Sequence, residues 1–180
     1  MFKNVNIYRI APGWAQPLEV MEDALDAHRF VPCNPSQDRS VGWVAPRNEA
    51  HGALVESVAN QLILKFMLET KSVPGNIVRE KAQEEADHIE ATTGRKPGKK
   101  ETKELREDAR LALLPMAFPK QSNVLVWIDR AAGLLITDAS SQNKTDEVIT
   151  ALVRSFDDLQ LSLVQTNASV VESMTKWLID

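Results

Sequence analysis

The sequence predicts an α+β fold: a mixed or antiparallel sheet body with packed helices, and a helical hairpin that projects from it. Three observations predict this. Short apolar runs with strand character occur on both sides of the chain, at Val5–Ile10, Gln61–Leu68, Val124–Asp129 and Leu134–Thr137. Helical periodicity recurs near the start and near the end. Residues 71–120 instead read as two polar helices around a Gly/Pro break, with thin, alanine-rich apolar stripes.

Val5 and Ile7 share one face of the first strand. Pro17 suits a first helical position, and Leu18, Met21, Leu25 and His28 follow at helical spacing, which puts His28 on the apolar side. Residues 31–52 hold Pro32, Pro35, Gly42, Pro46 and Gly52 and read as loop with one short strand around Gly42–Val44. The run from Gln61 to Leu68 reads as a central strand. Ser72–Asn76 is a turn, and a helix carrying Val78, Ala82, Ala86 and Ile89 reaches about Ala91. Residues 93–98 break it, and a second helix runs from about Lys100 to Leu114, stopped by Pro115. A β-hairpin around Arg130–Gly133 comes next. A helix capped by Asn143 then buries Val148, Ile149, Leu152, Val153 and Phe156. Leu159, Leu161 and Leu163 alternate as a strand, and Ser169 with Glu172 forms a capping box for a last helix carrying Val171, Met174, Trp177 and Leu178. The chain thus divides into 1–70, the N-terminal part of the body; 71–120, the hairpin; and 121–180, the C-terminal part of the body.

With 43% hydrophobic and 26% charged residues, the 180-residue chain resembles an average globular protein and can bury a core. No apolar run reaches the ~18 residues of a membrane span, so no membrane partner is expected. The start of the chain lacks a signal-peptide core, and Cys33 is the single cysteine. Together these predict a cytoplasmic protein. A net charge of −4 argues against a dedicated nucleic-acid binder unless positive charge is concentrated somewhere.

No pattern predicts a cofactor. Cys33, His28, His51 and His88 show no metal-ligand spacing, and Cys33 reads as a buried structural thiol. Gly94 to Lys100 has three residues between its glycines, not the four of a phosphate-binding loop, and lacks the following Ser or Thr. Asp129 and Asp138 border the β-hairpin and could serve a magnesium-dependent nuclease, but aspartates in that position are ordinary turn formers.

Positive charge is the feature that stands out. Arg95, Lys96, Lys99, Lys100, Lys103, Arg106 and Arg110 crowd one stretch, and positions 99, 103, 106 and 110 share a narrow helical arc. Leu105, Ala109 and Leu113 point roughly the other way. Such a helix can lie along phosphates, with lysines acting as point charges. The bland alternative is a solvated face steadied by Lys100–Glu104 and Lys103–Glu107 pairs. The segment from Leu113 to Pro119 is a second oddity: Phe118 sits between alanine and proline just past a helix end, either as a core plug or as an exposed anchor for a partner.

These residues resemble the RdgC family of bacterial recombination-associated proteins. The likeness rests on Phe2-Lys3-Asn4 with Tyr8-Arg9, and on Phe30-x-Pro32-Cys33 followed by Ser36-Gln37 and Gly42-Trp43-Val44-x-Pro46. It continues through Leu113-Leu114-Pro115-x-Ala117-Phe118, Trp127-Ile128-Asp129, Gly133-Leu134, Asp138 and Thr175-x-Trp177. The resemblance implies double-stranded DNA binding without sequence preference or catalysis, a homodimeric ring with a basic hole, nucleoid association, and restraint of RecA-type recombinases. It implies that the hairpin is the tip where two subunits meet, with Phe118 as a gate flanked by Pro115 and Met116. Two departures bear on this: family members are longer, and a basic residue of the family is Met116 here. They leave a second expectation open, a truncated, mobile-element-borne homologue that binds a host recombination or nuclease protein instead of DNA.

Overall fold

A computed structural model describes residues 2–49, 51–165 and 170–179. The described residues form an α+β protein with five helices and a seven-stranded sheet. The elements are β1 (Val5–Ile10), α1 (Leu18–Asp26), β2 (Arg39–Val44), β3 (Glu56–Val58), β4 (Gln61–Lys71), α2 (Gly75–Thr93) and α3 (Lys99–Leu113). After a 3-10 turn (Leu114–Met116) come β5 (Pro119–Asp129), β6 (Leu134–Asp138), α4 (Gln142–Ser155), β7 (Leu161–Leu163) and α5 (Val170–Ile179). Strand order is β2-β4-β5-β6-β1-β7, with β3 paired to β4. The chain folds as two compact units: Met1–Arg29, Trp43–Phe66 and Val124–Asp180 form one, and Phe30–Gly42 with Met67–Asn123 form the other.

In the first unit the core lies on one face of the sheet. Antiparallel registers place Ile128 opposite Leu135, Leu135 opposite Tyr8, and Val126 opposite Thr137. Paired residues share a face, and Val126, Ile128, Leu135 and Thr137 are all fully buried. Asn6 shares this face through Thr137 and donates to Thr145 Oγ1 (3.3 Å), which sets α4 on it. Met21 and Leu25 of α1, and Val148 and Leu152 of α4, are fully buried as well. Trp43 meets Phe66 edge-on at 4.9 Å and donates its indole N–H to Ser155 (3.1 Å), so a large aromatic enters the core with its polar atom satisfied.

The second unit has a thin core. Each helix of the hairpin contributes one fully buried residue, Ala82 from α2 and Ala109 from α3, and Leu114 seals the base. Small side chains let the helices approach closely but bury little apolar area. Polar bonds hold the root of the hairpin. Glu69 of β4, 2% exposed, accepts the Cys33 backbone N–H (2.7 Å) and the Gln121 side-chain amide (2.7 Å). Lys71 donates to the carbonyls of Cys33 (3.4 Å) and Asn34 (3.0 Å).

Several expectations are corrected. Strand β2 starts at Arg39, and β4 and β5 run several residues beyond their apolar stretches. Strand β3 was not expected; it turns into β4 through Ala59 and Asn60, both left-handed (φ 48° and 65°), a two-residue hairpin turn. The segment at Leu159 does not extend as strand until Leu161. The N-cap of α4 is Ser141, so Asn143 lies inside the helix, and Val153 is exposed. His28 is exposed because α1 ends at Asp26, before the next inward position. Cys33 is half-buried. On α5, Val171, Met174, Trp177 and Leu178 are exposed, and the Ser169 capping box lies outside the described residues.

The gluing role of Glu69 sets a pH dependence. The Gln121 amide and the Cys33 N–H hold its carboxyl below the ordinary glutamate range. A depressed folded pKa gives stability that is present above the unfolded value of about 4.3 and is lost as pH falls through the folded value. Glu69→Gln should lower the thermal midpoint at pH 7, because its amide nitrogen cannot accept from Gln121. It should also flatten the loss of stability on acidification below pH ~4.3. Melting curves at pH 7 and at stepped acidic pH check both.

Candidate nucleic-acid interface

All seven basic residues singled out from the sequence belong to the hairpin, but their surroundings divide them. Arg95 grips Glu101 with two bonds (2.7 and 3.1 Å), and Lys96 lies 3.7 Å from Glu90. Lys100 pairs loosely with Glu104 (3.9 Å). Arg110 is held by Glu107 (2.8 Å) and by Asp38 (3.2 Å) of the loop before β2. Lys99, Lys103 and Arg106 have no carboxylate within 4 Å among the described residues, and all three are exposed. Glu107, predicted to pair with Lys103, bonds directly to Arg110, and Lys103 acts on it only as a more distant charge.

Helical geometry explains the division. The inward side of α3 is set by Leu105, Ala109 and Leu113. At 100° per residue, Lys99, Lys103 and Arg106 lie roughly a quarter-turn from that side. The stripe therefore runs along a flank of the hairpin and does not oppose its buried side. There Arg106 lines a groove of about 360 Å³ between the helices, together with Arg79, Gln83, Lys96 and Thr102. Asp87 and Glu90 line the same groove, and each is engaged, with Gln83 and Lys96 respectively. Arg79 was missed from the sequence. Its signal is the i, i+4, i+7, i+11 series Arg79, Gln83, Ala86, Glu90, which traces the flank of α2 that faces this groove.

The second predicted feature is a surface. Phe118 is 93% exposed and Met116 70% exposed, with Pro115 exposed beside them. The core-plug alternative is thereby excluded, and Leu114 is the residue of this segment that fills the interior.

The two aspartates weighed for metal chemistry are bonded to backbone. Asp138 accepts the N–H groups of Asn4 (2.8 Å) and Lys3 (2.9 Å), and these bonds hold its carboxyl below the ordinary range. Asp129 accepts the Ala132 N–H (2.9 Å) across the turn, with the same effect. Burial, followed by the neighbouring Glu69, pushes the Cys33 thiol up, which disfavours the nucleophilic thiolate. Among the described residues no group of three or more His, Cys, Asp or Glu could hold a metal ion, and no helix is long and apolar enough to cross a membrane.

Comparison with known proteins gives this arrangement a family. Residues 1–180 match the family described as "Putative exonuclease, RdgC". The chain belongs to the RdgC family. It is 41% identical over 178 residues to the "Recombination-associated protein RdgC" of Herminiimonas arsenicoxydans, covering 99% of this chain and 59% of that one. The protein of the same name from Janthinobacterium sp. (strain Marseille) is 39% identical over the same shares. That from Dechloromonas aromatica is 37% identical over 98% of this chain and 58% of its own. The chain thus spans less than two thirds of the length of the curated RdgC relatives it matches.

Asp38→Asn tests how the flank is positioned. Loss of the Asp38–Arg110 pair should raise amide exchange across residues 106–113 by roughly two- to five-fold, the range of an exposed ion pair, while the first unit is unchanged. Hydrogen–deuterium exchange read by mass spectrometry measures it.

Proposed function

We propose that this chain is a non-catalytic component of DNA recombination that binds double-stranded DNA without sequence preference and works as a homodimer on the nucleoid. The observation that carries the reading is the row of exposed Lys99, Lys103 and Arg106 on one flank of α3, none with a carboxylate within 4 Å among the described residues. Positions i, i+4 and i+7 span about 10 Å of helix, a length that meets successive phosphates of one strand at about 7 Å spacing. Such contacts release counterions and read no bases. Arg79 and Lys96 broaden the positive flank across the groove. Membership of a family whose relatives are named recombination-associated supports the process. Occupying duplex in this way would restrain a RecA-type recombinase by competition for the same DNA. The bonding of Asp129 and Asp138 to backbone N–H groups supports a non-catalytic role over the exonuclease of the family description.

Phe118, with Met116 and Pro115, is the proposed contact between two copies. An exposed phenylalanine among residues held in place is the kind of anchor that dominates interface energy. The same residues support a second reading, in which the acidic chain engages a host recombination or nuclease protein through Phe118.

Fluorescence anisotropy of a labelled duplex at two salt concentrations tests the DNA reading. Wild type should bind steeply salt-dependently, and each Lys→Gln change at 99 or 103 should lower the log–log salt slope by about one. The triple reversal of Lys99, Lys103 and Arg106 to Glu should abolish binding. Absence of wild-type binding at low salt would end the DNA reading and leave the protein-partner one. In sedimentation velocity, Phe118→Ala should convert dimer to monomer; an unchanged dimer would place the contact elsewhere.

A further inference from the structure

Arg110 belongs to the cationic row of α3 by position and is withheld from it by its partners. At 100° per residue, Lys99, Lys103, Arg106 and Arg110 fall within an arc of about 60°. Adding Arg110 lengthens the row from about 10 Å to about 16 Å. Yet every nitrogen of its guanidinium is bonded to a carboxylate: Nε (3.1 Å) and Nη2 (2.8 Å) to Glu107, and Nη1 (3.2 Å) to Asp38. Glu107 lies on the same helix. Asp38 comes from the loop before β2, whereas the Arg95–Glu101, Lys96–Glu90 and Lys100–Glu104 pairs all lie within the hairpin. The Asp38 backbone is fixed from outside α3. The Lys71 N–H at the end of β4 donates to the Asp38 carbonyl (2.8 Å). The turn before it is closed twice, by the Gln37 N–H on the Asn34 carbonyl (3.0 Å) and by the Asn34 N–H on the Gln37 side chain (3.0 Å). A carboxylate is thus presented to the last cation of the row by a turn tied to the sheet.

An exposed ion pair adds little to folding. The consequence of this one lies in what the row can bind. A cation that reaches a phosphate releases counterions, but an arginine already held by two carboxylates must give up one contact to make the other. We propose that Asp38 is a brake on polyanion binding: it withholds Arg110, so that the footprint of the row on a phosphate backbone ends at Arg106. The duplex is then held on the half of the hairpin nearer the 94–98 loop, and the binding strength of the flank is set below what its four aligned cations would give. The brake rests on the DNA reading above and adds a control element to that same flank.

A double-mutant cycle tests it, with wild type, Asp38→Asn, Arg110→Gln and the pair compared for duplex binding by fluorescence anisotropy over a range of salt. The Asp38 side chain is exposed and its bond from Lys71 is made by the backbone, so Asp38→Asn keeps the fold. Asp38→Asn should bind roughly two- to five-fold tighter, the range of an exposed ion pair. Its log–log salt slope should be steeper by about one, for one added phosphate contact. Arg110→Gln alone should leave the wild-type slope unchanged, and in the double variant it should cancel the gain of Asp38→Asn. An Asp38→Asn protein that binds like wild type overturns the brake. So does a gain that survives Arg110→Gln, which would make Asp38 a distant charge only. A slope lowered by about one in Arg110→Gln alone also overturns it, since Arg110 would then already be in the row. Each of these three results leaves wild-type binding, and with it the DNA reading, in place. Binding by Asp38→Asn where wild type is silent at low salt shows the brake at its strongest. Absence of binding by both ends the DNA reading and the brake together.

Discussion

The buried carboxylate of Glu69 is the constraint on which the second unit depends. One oxygen accepts from Cys33 in the loop before β2, the other from Gln121 at the start of β5. Glu69 itself sits two residues before the end of β4, the strand that leads into the hairpin. Three chain segments are thus fixed to one point by directional bonds. A side chain of this kind is rarely buried unless it is fully bonded, so the loop and both roots of the hairpin must be present together. The apolar contribution here is small, since Ala82 and Ala109 remove little area from water. Orientation of the hairpin comes from the polar frame, and that frame extends outward from Cys33 to Asp38 and so to Arg110.

The same frame accounts for the exposed cations. On α3 and its preceding loop, Glu101, Glu104 and Glu107 are each bound to a different base, Arg95, Lys100 and Arg110. These pairs are exposed and add little stability. Their effect is on distribution: three carboxylates of α3 are each taken up by another base, and Lys99, Lys103 and Arg106 are left with no carboxylate within 4 Å among the described residues. A chain with net charge −4 can in this way present a positive flank. The field near a surface within a Debye length of about 8 Å depends on local charge, not on the total. Counting charges along the sequence finds the basic stretch but weights Arg110 and Lys99 equally; only the fold shows that one is pinned to Asp38 and the other is not.

Periodicity made much of the fold legible. The strands at Val5–Ile10 and Leu134–Asp138, and both hairpin helices, lie within a few residues of their predicted places, because each carries its own apolar pattern and its own Gly or Pro stop. What failed was structure specified from elsewhere. The β3–β4 turn uses Ala59 in a left-handed conformation that alanine pays for locally and strand pairing enforces. Residues Pro119–Asn123 and Glu69–Lys71 extend as strand without alternating hydrophobicity, since polar bonds such as Glu69–Gln121 hold them there. Arg79 was hidden because its relation to Arg106 is set by how two helices face each other, which no single-helix pattern contains.

Phe118 shows why exposure of an apolar residue can be a built feature. Leu114, buried four residues earlier, anchors the chain, and the Ala117 N–H closes the 3-10 turn on the Leu114 carbonyl (3.1 Å). Proline precedes the turn's end at 115 and follows the ring at 119, removing backbone freedom on both sides. Three residues after Phe118, Gln121 is tied to Glu69. The ring is therefore presented on a short, doubly anchored segment whose backbone has little left to lose on association. Ordering entropy is a main cost of binding, so a contact made here keeps more of its apolar gain than one made by a loose loop. The carboxylate that positions the hairpin thus also fixes the exit strand that begins just after Phe118, and the charged flank and the aromatic are held by one polar frame.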